Sequence, residues 1–273
     1  MIINYDSPGQ LCNRIWSQLP SIAYGLEYNE KVMLINFEEY SGDFENLNIN
    51  KLIRFTTHKY LKRFFLSLKA RGHIQNGRPN IFRKILGLNL IEGWSNRLGN
   101  VEMVEKHSDT IRNIYRFKCD SITRIDAAIG TPRDYSLIGV HIRRGDYKTW
   151  LNGIYYYTDD VYMKMMKQIE DQVAEGGKKV RFLICSNEKA NLDNFRPLDC
   201  FAFMDSSAIT DLYALSKCDY IIGPPSSYSQ WASYYGKVPV KYIMSENDTI
   251  KLSGFSEVIA FNKFKNGSVM NID

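Results

Sequence analysis

The sequence predicts an α/β fold built on parallel sheets. Short apolar runs alternate with segments of helical spacing through the second half of the chain, and one strand–helix–strand unit opens the first half. Apolar strands that alternate with helices are typical of a parallel sheet buried on both faces. Ligands of such sheets bind beyond the carboxyl ends of the strands, where the strand order reverses. A chain of 273 residues has room for one large domain or two smaller ones.

The first half begins with the clearest strand–helix–strand signal. Residues 1–5 and 31–37 are apolar runs of strand length, and residues 11–26 between them repeat at helical spacing. This unit places a loop, residues 8–14, at the carboxyl end of the first strand. Residues 40–130 are predicted to be mostly helical.

The second half alternates more regularly. Strands are predicted at residues 137–143, 180–186, 200–204, 220–223 and 238–243. Helices are predicted at residues 159–173, 208–216 and 227–235. The pattern predicts a second parallel sheet with helices on its faces.

The composition is that of an ordinary globular protein, with 44% hydrophobic and 24% charged residues and a net charge of +5. These values exclude disordered and fibrous chains. No apolar run approaches the roughly 20 residues of a membrane span, and the start lacks the pattern of a secretory signal. The five cysteines are scattered and do not cluster with the four histidines. We therefore expect a reduced, cytoplasmic protein without a metal site or a disulfide framework.

The charge is concentrated in one segment. Residues 51–91 contain ten basic residues and no acidic one, and their apolar residues repeat at helical spacing. A basic amphipathic helix can contact an anionic membrane surface or an acidic acceptor. It can equally be a surface helix whose apolar stripe is part of the core. No nucleic-acid-binding module is recognisable, so we do not expect a nucleic-acid partner.

The segment from His141 to Tyr147, with the sequence HIRRGDY, carries the first chemical signal. It starts inside a predicted strand and leaves that strand at its carboxyl end. Two adjacent arginines suit a phosphate group, because a guanidinium can donate two parallel hydrogen bonds to phosphate oxygens. The alternative is an Arg–Asp ion pair at the end of a strand.

Two further features lie between the later elements. The segment GPPSSYS, from Gly223 to Ser229, joins a predicted strand to a predicted helix. Its serines and the free N–H groups of the helix start form an anion site, or simply an N-cap. Asp211, on the preceding helix, could accept two hydrogen bonds from a guanine edge. It could also be a solvated helix charge.

Three segments in the same order resemble the GDP-fucose-dependent fucosyltransferases, including the α-1,2-fucosyltransferases of glycosyltransferase family 11 and their α-1,6 and protein-O relatives. HIRRGDY resembles the HxRRxD segment of these enzymes. PGQLCNR, at residues 8–14, resembles their N-terminal loop, and residues 211–231 resemble their third block. The N-terminal loop departs from the family pattern at Gln10, Cys12 and Arg14, and the third block reads SSYSQW where SFSWW is usual.

The resemblance implies how the diphosphate is bound. Arg143 would bind the β-phosphate and stabilise the GDP leaving group, and Arg144 would support Arg143 or orient Asp146. Ser226 and Ser227 would bind phosphate oxygens at the helix start. Asp146 is the nearest carboxylate in the motif and is the candidate for the base that takes the acceptor proton.

The resemblance also implies the remaining contacts and the architecture. His141 would hold the nucleotide, Asp211 would bind the guanine, and Asn13 would close over the donor from the other lobe. The implied fold is GT-B, with two Rossmann-like lobes facing a cleft. Residues 1–130 would form the acceptor lobe and residues 131–273 the donor lobe.

The function implied is an inverting transfer of L-fucose from GDP-fucose to a glycan hydroxyl. An α-1,2 linkage on an oligosaccharide or lipid-linked precursor of a bacterial surface polysaccharide is expected, at the inner face of the membrane. The alternatives are an α-1,6 linkage, another GDP-sugar, or a nucleotide-binding module without catalysis. The chain contains no D-x-D triplet, the pair with which metal-using transferases often hold a divalent cation. We therefore expect no metal and no cofactor beyond the donor substrate.

Overall fold

A computed structural model of the chain describes residues 1–5, 8–56, 58–71, 87–95 and 98–267. The chain divides into two compact units, Met1–Asp120 and Ser121–Asp273. Each unit contains its own parallel sheet.

The sheet of the first unit has four strands in the order β3-β2-β1-β4, and all three pairings are parallel. The strands are β1 (Ile2–Asn4), β2 (Val32–Leu34), β3 (Ile53–Phe55) and β4 (Asn89–Ile91). Helix α1 (Leu11–Glu27) joins β1 to β2, so the predicted strand–helix–strand unit is present. β1 is buried along its whole length, and α1 buries Ile15, Leu19 and Ile22.

Two predictions for the first unit are wrong in detail. β3 and β4 lie in the region predicted to be mostly helical, so these two strands were not predicted from the sequence. The predicted loop at residues 8–14 ends early, since α1 already begins at Leu11. Asn13 and Arg14 are therefore helical residues. Among the described residues, the other helices that begin in this unit are α2 (Lys59–Ala70), α3 (Val101–Lys106), α4 (Ser108–Ile114) and α5 (Cys119–Ile129).

The second unit contains a five-stranded parallel sheet in the order β7-β6-β5-β8-β9. The strands are β5 (Tyr135–Ile142), β6 (Lys179–Ser186), β7 (Cys200–Phe201), β8 (Tyr220–Gly223) and β9 (Val240–Tyr242). The helices are α6 (Asp159–Glu175), α7 (Ala208–Leu215) and α8 (Ser227–Gly236). The chain adds β6 and β7 on one side of β5 and then β8 and β9 on the other. The strand order therefore reverses between β5 and β8.

The predicted alternation of strands and helices in this half is present, with boundaries shifted by a few residues. Helix α6 buries Met165, Met166 and Ile169 in the same core as strands β5 and β6. A short antiparallel pair that the periodicity did not indicate, β10 (Val258–Ala260) and β11 (Lys263–Phe264), follows the sheet.

Candidate active site

The two motifs predicted to bind phosphate leave adjacent strands at the point where the strand order reverses. HIRRGDY leaves β5, and GPPSSYS leaves β8, which pairs with β5 in parallel. A Cβ at Gly223 would lie 2.5 Å from the carbonyl oxygen of His141, so this position accepts only glycine without a shift of the backbone. The absence of that side chain lets the two loops begin side by side, at the edge where parallel sheets bind ligands.

The backbone of the first loop is held by Asn187, which directly follows β6. The N–H of Arg144 donates to Oδ1 of Asn187 at 2.8 Å, and Nδ2 of Asn187 donates to the carbonyl of Arg144 at 3.2 Å. Gly145 has a φ of +59°, in the left-handed region that favours glycine. Asn187 thus fixes where the loop turns. Sequence reasoning did not assign it a role, although its position directly after a predicted strand was a usable signal.

Arg143 and Asp146 form an ion pair within this loop. Nη2 of Arg143 lies 2.9 Å from Oδ1 of Asp146 and 3.1 Å from Oδ2. The guanidinium also lies 5.7 Å from the centre of the Tyr147 ring. Nε and Nη1 have no hydrogen-bond partner among the described residues, so the planar fork keeps donors for an anion.

Arg144 makes a different contact from the one predicted. Its guanidinium pairs with Asp159 at the start of α6. Asp159 also accepts a hydrogen bond from Nδ2 of Asn194 at 2.6 Å. The start of α6 thus brings a second carboxylate to Arg144, and the predicted role of Arg144, to support Arg143 or to orient Asp146, stays a prediction. Asp159 is a further site residue that sequence reasoning read only as part of a helix start.

The second loop caps helix α8. Oγ of Ser226 accepts a hydrogen bond from the N–H of Tyr228 at 3.2 Å, which is the N-cap that the sequence allowed. Ser227 is the first residue of α8. The hydroxyl of Tyr147 donates to the carbonyl of Pro225 at 2.5 Å, so the loops after β5 and β8 are joined directly. Burial raises the pKa of Tyr147 to about 12, which keeps this hydroxyl protonated and able to donate.

His141 is buried at the end of β5, with its ring 5.0 Å from the ring of Tyr228. Burial, together with the positive charge of Arg143, lowers the pKa of His141 to about 3. The imidazole is therefore neutral at physiological pH and can hold a ligand by hydrogen bonding but not by charge. Its Nδ1 is buried and has no hydrogen-bond partner among the described residues.

Asp211 lies in the first turn of α7. Burial raises its pKa to about 6, although a hydrogen bond from the side chain of Ser206 opposes the shift. The hydroxyl of Tyr228 donates to the carbonyl of Ala208 at 2.6 Å, so the starts of α7 and α8 are tied together. The structure thus connects the helix of Asp211 to the Tyr228 ring that packs on His141.

Asn13 belongs to the first unit, in the first turn of α1. A Cβ on Gly9 would lie 2.3 Å from Nδ2 of Asn13, and Gly9 has a φ of +56°. The neighbouring Arg14 is buried and pairs with Glu39 at 2.8 Å, so it has a structural partner. Asn13 belongs to a different compact unit from the motifs that leave β5 and β8. The role predicted for Asn13 therefore stays a prediction.

Across the described ranges, no group of three or more His, Cys, Asp or Glu residues could hold a metal ion. Within the same ranges, no helix is long and apolar enough to cross a membrane.

Comparison with protein-family models decides the classification. Residues 101–259 match the model of glycosyl transferase family 11. The chain belongs to glycosyl transferase family 11. The matched region contains β5, α7, β8 and the two loops that leave the sheet, so it includes the candidate site residues of the second unit. This match confirms the predicted enzyme class, a glycosyltransferase. It also confirms the resemblance to glycosyltransferase family 11 stated from the sequence motifs. No curated protein sequence matches this family 11 chain.

Solved structures show which fold this family 11 chain shares. NodZ alpha-1,6-fucosyltransferase soaked with GDP-fucose, an enzyme from Bradyrhizobium, is 17% identical with a TM-score of 0.55, over 88% of this chain and 93% of that one. POFUT1 in complex with GDP-fucose is 12% identical with a TM-score of 0.60, over 88% and 97% of the two chains. An Arabidopsis thaliana FUT1 variant in complex with GDP is 12% identical with a TM-score of 0.62, over 95% and 74%. The predicted α/β fold of GT-B type is confirmed.

Proposed function

We propose that this glycosyltransferase is an inverting fucosyltransferase that moves L-fucose from GDP-fucose to a glycan hydroxyl. One observation carries the proposal: two anion-binding loops leave adjacent strands β5 and β8 where the strand order reverses, in a family 11 chain. Similar solved structures hold GDP-fucose or GDP, which supports this donor.

The diphosphate is assigned to the loops after β5 and β8. Arg143 offers Nε and Nη1 to the β-phosphate, and Ser226 and Ser227 lie at the positive end of α8, where N–H groups attract anions. GDP leaves with growing negative charge, which a guanidinium and helix N–H groups can stabilise. These groups supply positive charge without a bound cation, so we expect turnover to continue in chelator.

The nucleoside is assigned to two further side chains of the second unit, those of Asp211 and His141. The carboxylate of Asp211 can accept hydrogen bonds from the N–H groups of guanine, provided that it is ionised. His141 provides a neutral buried nitrogen at the carboxyl end of β5. A neutral ligand group, such as a hydroxyl or a base edge, is the partner that an uncharged imidazole suits.

We assign Asp146 as the base that takes the acceptor proton. Its ion pair with Arg143 links the state of this carboxylate to donor binding. In the free chain both Asp146 oxygens lie near Nη2 of Arg143. A diphosphate that engages Arg143 competes with Asp146 for this guanidinium. Donor binding would therefore free a carboxylate next to the reacting sugar. Arg144, held by Asp159, keeps the loop in place.

The linkage and acceptor remain part of the proposal. We assign an α-1,2 linkage, formed on an oligosaccharide or lipid-linked precursor of a bacterial surface polysaccharide, because the HxRRxD resemblance includes the α-1,2 enzymes. The NodZ neighbour, an alpha-1,6-fucosyltransferase, favours α-1,6 as the second candidate. We place the acceptor side in residues 1–130, with Asn13 closing over the donor, and the donor side in residues 131–273.

We also assign helix α2 a peripheral contact with an anionic membrane, at the inner, cytoplasmic face of that membrane. Tyr60 and Phe64 are 83% and 53% exposed, and Arg63 and Arg71 are exposed on the same side. Lys62 and Lys69, also in the basic segment, pair instead with the acids Glu38 and Glu92. Three further basic residues of the segment, Arg78, Arg83 and Lys84, lie outside the described residues. The outward aromatic and arginine side chains are therefore the proposed contact.

A donor screen tests the function directly. The protein is incubated with GDP-fucose, GDP-mannose and UDP-sugars, and hydrolysis and thermal shift are scored with and without EDTA. We expect GDP-fucose to be turned over and to raise Tm more than the UDP-sugars do, with no loss in EDTA. Binding of GDP-fucose without hydrolysis would favour a non-catalytic nucleotide-binding module.

A further inference from the structure

The loop that follows the catalytic motif presents an exposed apolar patch. Trp150, Leu151 and Ile154 are 41%, 47% and 56% exposed, within five residues of one another. Single exposed apolar residues are ordinary, but contiguous ones next to a polar site mark a place where a ligand binds. None of the roles assigned to the site uses these three side chains.

The indole of Trp150 is held in position by two tyrosines. Its ring centre lies 4.7 Å from that of Tyr147 and 5.8 Å from that of Tyr155. Both tyrosines are buried, and the hydroxyl of Tyr147 is fixed on the carbonyl of Pro225. One side of the indole is therefore packed on rigid neighbours while another remains open to solvent, which is the arrangement of a preorganised stacking surface.

The backbone at this patch adopts an unfavourable conformation. Leu151 and Asn152 have φ values of 47° and 58°, in the left-handed region. A branched residue such as leucine rarely adopts this region, and such strain is retained mainly at functional sites. Leu151 thus combines an unfavourable backbone conformation with an exposed side chain next to Trp150.

We propose that this patch, the Trp150 platform, binds the acceptor saccharide, with a sugar ring stacked on the indole. Sugar rings have a face of C–H groups that suits the electron-rich face of an aromatic ring. The platform is attached to the candidate base, because the N–H and Oγ1 of Thr149 both contact the carbonyl of Asp146 at 3.3 Å. An acceptor stacked there would present its hydroxyls next to Asp146. This inference rests on the proposed fucosyl transfer, and it adds an acceptor contact in the second unit to the acceptor side proposed in residues 1–130.

Acceptor kinetics test the platform, with lactose and N,N′-diacetylchitobiose as the acceptor probes. For whichever of the two probes the protein fucosylates, we expect Trp150→Ala to raise the acceptor KM about tenfold, because one stacking contact is lost. The KM of GDP-fucose and its hydrolysis without acceptor should stay within twofold (about 0.4 kcal/mol) of wild type, and Tm should stay close to that of wild type. Trp150→Phe, which keeps an aromatic face, should recover most of the affinity. Trp94→Ala is the matched control, since Trp94 is 44% exposed in the first unit.

Three outcomes overturn the platform. The first is an unchanged acceptor KM in Trp150→Ala, and the second is a raised GDP-fucose KM, which would place Trp150 at the donor. If wild type does not turn over GDP-fucose, the proposed function fails. Saccharide binding at the Trp150 platform is then tested on its own by tryptophan fluorescence. In that case a saccharide-dependent change in tryptophan fluorescence that Trp150→Phe abolishes supports it. A change that survives in Trp150→Phe, or no change in wild type, is the third outcome against it.

Discussion

Nη2 of Arg143 lies between the two carboxylate oxygens of Asp146, at 2.9 Å from Oδ1 and 3.1 Å from Oδ2. The pair occupies the loop after β5, at the edge of the sheet where the strand order reverses. An exposed i, i+3 ion pair contributes at most about 1 kcal/mol to stability. The pair is therefore a weak reason for both residues to be here, and binding of an anion by Arg143 is a stronger one.

Replacement of Arg143 should separate catalysis from stability. We expect Arg143→Ala to lower kcat about 10²–10³-fold, because one charged contact to the leaving diphosphate is lost. Tm should fall only slightly, since the ion pair is exposed. Arg196→Ala is the control, because Arg196 also forms an i, i+3 pair with an aspartate, Asp193, at a more exposed place on the surface. A large loss of Tm with turnover retained would instead make the arginine structural.

Asp146→Asn distinguishes a base from a carboxylate that only positions Arg143. As the base, Asp146 should account for about 10²–10⁴-fold of kcat, while GDP binds as before or more tightly. Loss of the competing carboxylate leaves the Arg143 guanidinium available to the diphosphate. Steady-state kinetics and calorimetry with GDP measure the two effects. Turnover within tenfold of wild type would exclude Asp146 as the base.

Asp211 should make GDP affinity depend on pH. Burial raises its pKa to about 6, so the side chain is protonated below that pH and loses its capacity to accept two hydrogen bonds from guanine. We expect the affinity for GDP to fall as the pH drops through about 6. In Asp211→Asn the affinity should be low throughout and this step should be absent. An unchanged pH profile in the variant would remove Asp211 from the guanine site.

The same raised pKa affects stability in the opposite direction. Between the ordinary value of 3.8 and about 6, the folded chain binds this proton more tightly than the unfolded chain does. The contribution of Asp211 to the free energy of unfolding therefore decreases as pH rises through this window. Asp211→Asn should remove this decrease, so its Tm at pH 8 should exceed that of wild type.

Arg144 and Asp159 should behave as a structural pair. Both side chains are mostly buried, so removal of one leaves a poorly solvated charge, and we expect Arg144→Ala or Asp159→Ala to cost about 3 kcal/mol. The double variant should lose clearly less than the sum of the two. Chemical denaturation measures all three, with Lys167→Ala, which removes a surface pair with Glu170, as the control. Additive losses would show that the two residues act independently.

Membrane contact through α2 can be tested on anionic vesicles. Arg63→Gln, Phe64→Ser and Arg71→Gln together should weaken binding at least about tenfold, since each cation near the surface contributes about 1 kcal/mol. Lys62→Gln should have little effect, because Lys62 is already paired with Glu38. Tyr28→Ser, which changes another exposed aromatic residue of the first unit, controls for nonspecific effects. Equal binding of the triple variant and wild type would eliminate the membrane contact.

Whether an element or a site residue could be predicted depended on how much of the signal lies in neighbouring residues of the sequence. The strand β5 was predicted from a run of seven mostly apolar residues, 137–143, whereas the short strands β3 and β4 lie in a region predicted to be mostly helical. The residue types for an anion site were visible in HIRRGDY and GPPSSYS. Asn187 was not assigned, because its clamp on Arg144 depends on β6 pairing beside β5.

Local amino-acid order was sufficient to indicate the alternating α/β class, the family resemblance and the arginines and serines of the site. Hydrophobic periodicity and short motifs are properties of neighbouring residues, so they can be read along the chain. Tertiary packing alone decided that Arg143 pairs with Asp146 and Arg144 with Asp159, that Gly223 must make room for His141, and that Trp150 stays open. Those contacts join residues brought together by strand order, helix starts and loop strain, which no local pattern encodes.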